Sequence, residues 1–85
     1  MEYNVYVIYD ARSNRYTQPM CFDNDAVAVR DFVTEASRPY TRTHEFPEDY
    51  VLYNIGIFYE ATGEIISSKP ERVCSLNEYI VKEKK

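Results

Sequence analysis

Two runs of β-branched and aromatic residues dominate the chain, at residues 2–9 and 50–60. Such runs are typical of strands, and polar turn residues bound both of them. A second strand is predicted at residues 16–22, after a polar turn. Pro19 lies inside it and cannot donate a hydrogen bond to a neighbour, so we expect this strand at a sheet edge or broken there.

A helix is predicted over residues 26–37. The preceding acids and Asn offer an N-cap and favour the positive end of the helix dipole. The helix ends before Pro39, because the residue preceding a proline avoids the helical conformation. One apolar stripe is expected along it, formed by Ala26, Val29, Val33 and Ala36 with Phe32 beside them.

The region after this helix reads as a polar loop over residues 39–49. The strand at residues 50–60 then turns at Gly63, which supplies a positive φ. Residues 64–69 return as a short strand that Pro70 stops.

The C-terminal region carries the spacing of a capping box, from Ser75 to Glu78, which predicts a short helix. Residues 82–85 read as a charged tail. We therefore predict one domain over residues 1–81, since a chain of 85 residues leaves no room for a second.

The predicted fold class is α+β: a four-stranded antiparallel sheet of connectivity ββαββ with one helix on one face. Strand order 2-1-3-4 makes every neighbouring pair antiparallel when the helix crosses the sheet. It also places the two most apolar strands at the centre and the strands with prolines at the edges, where proline is tolerated.

Both faces of this sheet are apolar, whereas a half-buried strand alternates apolar and polar residues. In the first strand, Tyr6 and Ile8 are predicted to point away from the side that holds Tyr3, Val5, Val7 and Tyr9. In the third strand, Leu52 and Phe58 are predicted to point away from Val51, Tyr53, Ile55, Ile57 and Tyr59. One helix covers one face, so the second needs another cover.

Three alternatives remain for what packs on the second face. The C-terminal helix could bring Leu76, Tyr79 and Ile80 onto the second face. A second copy could form a symmetric homodimer, for which the candidate self-association residues are Tyr6, Ile8, Leu52 and Phe58. The tyrosines could also be a stacking platform for single-stranded nucleic acid.

Composition and charge narrow the function classes. The net charge is −4, which argues against a duplex-DNA coat and against a polybasic membrane binder. No segment has the length and apolarity of a membrane helix, and the polar N-terminus is unlike a signal peptide. Cys21 and Cys74 are expected to be reduced, partly buried thiols of an intracellular protein.

No catalytic or metal-binding constellation is visible, and no cofactor is expected. His44 is the single histidine, and no nucleophile stands with a credible base. Basic residues cluster instead near the first turn and after the helix, where they either solvate the turns or contact nucleic-acid phosphates. The candidate nucleic-acid-binding residues are Arg12, Arg15, Arg38 and Arg42 with the tyrosines Tyr6, Tyr16 and Tyr40.

Several segments resemble the small nonstructural protein of gokushoviruses, the tailless single-stranded DNA phages of the Microviridae. The similar stretches are Tyr-Asn-Val-Tyr-Val-Ile-Tyr-Asp at residues 3–10 and Asn-Asp-x-x-Ala-x-Arg-x-Phe at 24–32. Pro-Glu-Asp-Tyr-x-Leu-Tyr-x-Ile-Gly-x-Phe follows at 47–58, and Thr-Gly-Glu-Ile at 62–65.

The resemblance implies a non-enzymatic accessory protein, made in the host cytoplasm, that assists viral single-stranded DNA synthesis and genome packaging. The resemblance also implies DNA binding, since the family is sometimes described as DNA-binding. From the residues we hypothesise that the chain self-associates through its sheet as a homodimer and contacts single-stranded DNA with its basic loops and tyrosines. The alternative is an adaptor that bridges phage replication and procapsid proteins without touching DNA. Residues 43–68 contain five acids and no Lys or Arg. Such an acidic segment would complement a basic protein partner of the adaptor.

Overall fold

The computed structural model describes residues 1–79 and shows an α+β fold, an antiparallel sheet with one main helix packed on it. The short helical segments are a four-residue helix and two 3-10 turns, at Pro47–Asp49 and Leu76–Glu78. The four-residue helix is α2 (Arg42–Glu45), and the main helix is α1 (Asp25–Ala36). The strands are β1 (Glu2–Asp10), β2 (Arg15–Tyr16), β3 (Met20–Phe22), β4 (Tyr50–Tyr59) and β5 (Glu64–Ser75).

The sheet has the predicted strand order. β1 and β4 are central, β5 lies beyond β4, and β2 and β3 both pair with β1 at the opposite edge. All pairs are antiparallel. The predicted second strand is broken between Tyr16 and Met20, around Pro19, and Thr17 keeps the gap attached to β1: its N–H donates to the Ile8 carbonyl at 2.8 Å.

Helix α1 begins and ends close to the predicted limits. The side chain of Asn24 caps it by accepting a hydrogen bond from the Val27 N–H at 3.0 Å. The predicted stripe is shifted, however: Ala26 is exposed, and the buried line is Ala28, Phe32 and Ala36, with Val29 and Val33 packed beside it. These three residues are spaced by four, so they lie on one side of a helix with 3.6 residues per turn.

The prediction of an irregular loop over residues 39–49 is wrong in part, because this segment holds α2 and a 3-10 turn. Thr41 caps α2 by accepting from the His44 N–H at 3.2 Å. Nδ1 of His44 lies 3.0 Å from the carbonyl oxygen of Ala36, which ties α2 to the end of α1. A helix this short has no apolar periodicity to read, and its stability comes from such contacts.

The prediction that Pro70 stops the fourth strand is also wrong: β5 continues through it to Ser75. Ser67 pairs with Gly56 and Glu71 pairs with Asn54, so three residues of β5 lie opposite the single residue between those partners. Pro70 is therefore in a bulge of an edge strand, where its missing N–H interrupts no regular pairing.

The predicted capping box does not form at the C-terminal turn. Ser75 donates from its hydroxyl to the Asn77 side chain at 2.7 Å, and Glu78 binds Arg72 instead. The turn packs on the helix side of the sheet, where Leu76 is buried, while Tyr79 is exposed. Within residues 1–79 it therefore leaves the second face of the sheet uncovered. Ile80 and the predicted tail at 82–85 lie outside the described residues.

The core lies between α1 and the sheet side that we call the inner face. Burial there is complete for Tyr6, Leu52 and Leu76, each 0% exposed. The hydroxyl of Tyr6 donates to the carboxylate of Asp25 at 2.5 Å, joining the sheet to the first turn of α1. The buried cluster consists of Tyr6, Ala28, Phe32, Ala36, Tyr50, Leu52, Cys74 and Leu76.

A β-bulge at Ile55 reverses the facing of the second half of β4. Val5 pairs with Gly56 and Tyr6 pairs with Asn54, so Ile55 is an extra residue on β4. Beyond it, Phe58 pairs with Tyr3 and lies on the side away from Leu52, so the prediction that Phe58 and Leu52 share a face is wrong. Ile57, the partner of Asn4, is moved to the inner face in exchange.

The opposite side of the sheet, which we call the outer face, is not covered by any element within residues 1–79. Val5 and Val7 form its buried floor in the central strand, 1% and 5% exposed. The cross-strand pairs place on it the apolar and aromatic residues Tyr3, Val5, Val7, Tyr9, Tyr16, Cys21, Val51, Tyr53, Phe58 and Ile65, together with Gly56 and the polar Ser67, Arg72 and Ser75 of β5.

Candidate nucleic-acid interface

A pocket of about 300 Å³ lies at one end of the sheet. It is formed between the turn that joins β1 to β2 and the segment that runs from α2 to the start of β4. Its lining residues are Asp10, Arg12, Ser13, Arg42, Phe46, Asp49 and Tyr50.

The β1–β2 turn is held in place by the carboxylate of Asp10. One oxygen accepts from the backbone N–H of Arg12 at 2.9 Å, and the other accepts from the hydroxyl of Ser13 at 3.1 Å. The N–H of Ala11 donates to the carbonyl of Asp49 at 2.9 Å, which fixes the turn against the 3-10 segment. Both walls of the pocket are thus joined by backbone hydrogen bonding.

Two arginines from distant parts of the sequence meet in this pocket. Arg12 comes from the turn and Arg42 begins α2. The guanidinium carbon of Arg12 lies 5.9 Å from the centroid of the Phe46 ring, within the range of a cation–π interaction. The pocket therefore combines two permanent positive charges with an aromatic surface.

The pocket also holds two carboxylates, from Asp10 and Asp49, so its formal charge is balanced. Asp10 is engaged in the turn, as described above. Burial raises the pKa of the Tyr50 hydroxyl, and the negative charge of Asp10 adds to that rise, while Arg42 opposes it. Such a site suits a ligand that joins an anionic group to a flat ring, because guanidinium groups bind phosphate and aromatic rings stack.

The structure separates the other predicted nucleic-acid residues from the pocket. Arg15 lies beside it as the cross-strand partner of Asp10. Arg38 forms an exposed ion pair with Glu35 at 3.3 Å, and Tyr40 is 96% exposed in the α1–α2 connection with a φ of 70°. Tyr16 lies on the outer face.

Tyr6 and Leu52 are fully buried against α1, so neither side chain has a surface left for a second molecule. We therefore drop Tyr6 from the candidate nucleic-acid residues, and Tyr6 and Leu52 from the candidate self-association residues. Ile8 is packed against the same cluster. Phe58 remains on a sheet surface, but on the outer face.

Three tyrosines form an aromatic cluster on the outer face. The Tyr9 and Tyr16 rings are 4.9 Å apart between centroids, and Tyr16 meets the edge of Tyr53 at 6.1 Å. The Tyr9 hydroxyl is hydrogen-bonded to the side chain of Asn14 in the turn. Sequence alternation placed Tyr9 on this face, but the contact between the three rings depends on cross-strand register.

Sequence reasoning missed the other five residues of the pocket: Asp10, Ser13, Phe46, Asp49 and Tyr50. Phe46 belongs to a segment that the sequence predicts to be a polar loop, and a single aromatic residue there forms no hydrophobic pattern that would mark it. A sequence signal exists in hindsight only for Asp49, which follows a proline at a turn. The two walls of the pocket come together only in the tertiary structure, because α2 reaches the β1–β2 turn only after the chain has crossed the sheet.

The acidic segment over residues 43–68 does not form one surface. Glu45 and Glu48 lie before β4, whereas Glu60 and Glu64 lie beyond its other end. The ten residues of β4 separate the two groups by about 30 Å, at roughly 3.3 Å per residue. An acidic docking surface for a basic partner is therefore divided between the two ends of the sheet.

Within residues 1–79, no group of three or more His, Cys, Asp or Glu side chains is placed to hold a metal ion. Across the same residues, no helix has the length and apolarity needed to span a membrane. Both cysteines are free thiols, with Cys21 exposed and Cys74 buried.

Comparison with known proteins gives one match. The sequence profile of a family described as "Phage ORF5 protein" matches residues 3–79, which is nearly the whole chain. No curated protein and no solved structure matches the chain.

Proposed function

The chain belongs to the Phage ORF5 protein family and is thus a phage protein, and from that premise we propose that it is a non-enzymatic accessory protein that binds single-stranded DNA during viral DNA synthesis and genome packaging. The site of action is the host cytoplasm. The observation that carries the proposal is the convergence of Arg12, Arg42 and Phe46 in one pocket.

The chemistry of the pocket suits one nucleotide of a single strand. Arg12 and Arg42 bring two guanidinium groups into the pocket, and the planar fork of a guanidinium suits bidentate contact with the oxygens of a phosphate backbone. The Phe46 ring, over which the Arg12 guanidinium lies, adds an aromatic surface to the site, and stacking of a base on such a surface contributes about 1–3 kcal/mol. A duplex keeps its bases stacked inside the helix, so it cannot use the ring in this way.

The charge of the chain sets the expected affinity. A chain of net charge −4 repels DNA as a whole, so binding depends on the few arginines at the site. We therefore expect weak binding that declines with salt in proportion to the few phosphates contacted, because each neutralised phosphate releases counterions.

The test is a titration of a fluorescent single-stranded oligonucleotide of mixed sequence over a salt series, with the matched duplex beside it. Arg12→Ala and Arg42→Ala should each weaken binding and lower the slope of log K against log salt by about 0.7. Arg30→Ala is the matched control, since Arg30 is exposed on α1 and outside the pocket.

The absence of binding at low salt would overturn the proposal. So would equal losses for Arg12→Ala, Arg42→Ala and Arg30→Ala, because the pocket would then have no special role. In that case an adaptor function becomes the better account, and nuclease-treated pull-downs from infected cells should retain phage replication or procapsid proteins.

A further inference from the structure

We infer that the outer face is the interface of a homodimer, covered by the same face of a second copy of this chain. The inference does not depend on DNA binding. It concerns the side of the sheet opposite α1, remote from the core, and it replaces the self-association residues that the sequence indicated on the inner face.

The first argument is that this face is apolar across both central strands. Val5 and Val7 are its buried floor, and Tyr53 and Phe58 of β4 stand beside them, half-buried. No helix or turn within residues 1–79 packs on this face, since the C-terminal turn inserts Leu76 on the inner face. The two valines are covered by their neighbours in the sheet, while Tyr53 and Phe58 keep part of their surface exposed. Contiguous apolar surface of this kind marks an interaction site on a small protein.

The second argument is charge, which distinguishes a protein cover from a nucleic acid. Arg72 is the cross-strand partner of Tyr53, and its guanidinium is bound by Glu78. Glu60 lies beside Tyr3 at the far end and raises the pKa of its hydroxyl. Arg72, the cation that the cross-strand pairs place on this face, is thus already paired with Glu78, so little positive charge is left for a phosphate backbone, whereas a second copy brings a matching apolar surface.

The third argument is shape and size. A face about 30 Å long and about 15–19 Å wide follows from the strand rise and spacing. Its planar area of roughly 500 Å², increased by side-chain relief, approaches the ~800 Å² that each partner buries in a standard interface. Two such faces would pack as a sandwich with one α1 on each outside, a common layered arrangement.

The consequence for the proposed function is geometric. The pocket with Arg12 and Arg42 lies at the end of the sheet and uses none of the outer-face members. A dimer would therefore present two such pockets, which raises avidity for a long single strand without raising the charge per chain.

The first experiment is sedimentation equilibrium of the nucleic-acid-free protein over a wide concentration range. Tyr16→Lys places a charge on the outer face, where the side chain is 54% exposed, so the fold of the single chain should tolerate it. We expect it to weaken dimerisation at least about tenfold, because an ammonium group would be buried without a partner in an apolar interface. Tyr40→Lys is the matched control, because Tyr40 lies in the α1–α2 connection.

The second experiment uses the native thiols and needs no variant. Cys21 is the exposed cross-strand neighbour of Val5, whereas Cys74 is buried inside the chain. The reaction of Cys21 with a thiol reagent should slow as protein concentration rises through the dimer range, while Cys74 stays slow throughout. A monomer at millimolar concentration, equal effects of Tyr16→Lys and Tyr40→Lys, or protection of Cys21 in a monomer by added oligonucleotide would each overturn the inference.

Discussion

The side-chain oxygen of Asn54 accepts a hydrogen bond from the backbone N–H of Gly56 at 3.0 Å, and this contact spans the bulge at Ile55. Because the bulge adds one residue to β4, every side chain beyond it changes sides. Phe58 therefore joins Tyr3 on the outer face. The composition of the surface that we assign to dimerisation depends on this local arrangement.

The bulge should make Gly56 the less replaceable of the two glycines. A Cβ at Gly56 would clash with the carbonyl oxygen of Ile66, and the φ of Gly56 is 154°. Gly56→Ala should lower the free energy of unfolding by about 2–4 kcal/mol, measured by urea denaturation. Gly63→Ala is the control: it has a φ of 78° but open space, and should cost about 1–2 kcal/mol. Equal losses would contradict the clash.

The hydroxyl of Tyr6 should stabilise the junction between β1 and α1. It donates to Asp25 at 2.5 Å, while the ring is fully buried. Tyr6→Phe should cost about 1–2 kcal/mol in urea denaturation, because a hydrogen bond to a charged group is lost. Tyr16→Phe, at an exposed ring, should change stability by less than about 0.5 kcal/mol. No difference between the two variants would show that the bond contributes nothing.

The C-terminal turn should stabilise the fold mainly through Leu76, the residue that it contributes to the core. Leu76 is 0% exposed, whereas Tyr79, three residues later, is 53% exposed. Leu76→Ala should lower the free energy of unfolding by about 2–5 kcal/mol, from lost apolar burial and the cavity left behind. Tyr79→Ala should be nearly neutral. A larger loss for Tyr79→Ala would place this tyrosine in a contact that the described residues do not show.

Stability should decline in alkaline solution because of the buried thiol of Cys74. Burial raises its pKa from 9.0 to about 11. Between these values the unfolded chain loses the proton while the folded chain keeps it, so the free energy of unfolding falls as pH rises. The free energy of unfolding should fall by about 2 kcal/mol between pH 9 and pH 11. Below pH 9 the thiol is protonated in both states, so its contribution to stability is fully present.

Cys74→Ala tests this alkaline effect, since the variant should lose less stability than the native chain between pH 9 and pH 10. Above pH 10 both should weaken, because burial also raises the pKa values of Tyr6 and Tyr50 above the ordinary 10.0. The measurement is the urea midpoint at a series of pH values. Identical pH profiles would contradict the assignment to Cys74.

The predictions that held were those that depend on local signals. Asn24 caps α1 as its side-chain chemistry indicates, and Gly63 takes the positive φ that its turn needs. The strand order followed from the same evidence, because Pro19 marks an edge and the two apolar runs mark the centre. The candidate pocket was predicted only in part: Arg12 and Arg42 were identified, but neither their meeting nor Phe46 was.

The sequence by itself determined the order of the main strands and the long helix, the antiparallel sheet and the presence of two apolar faces, because hydrophobic period, caps and prolines act within a few residues of one another. Tertiary structure decided which residues share a face and which loops meet. Side chains along a strand alternate between the two faces of the sheet, so the extra residue at Ile55 moves Phe58 to the outer face and Ile57 to the inner face. That extra residue is set by how β4 pairs with β1 and β5 together, and pairing between distant segments is a property of the folded chain.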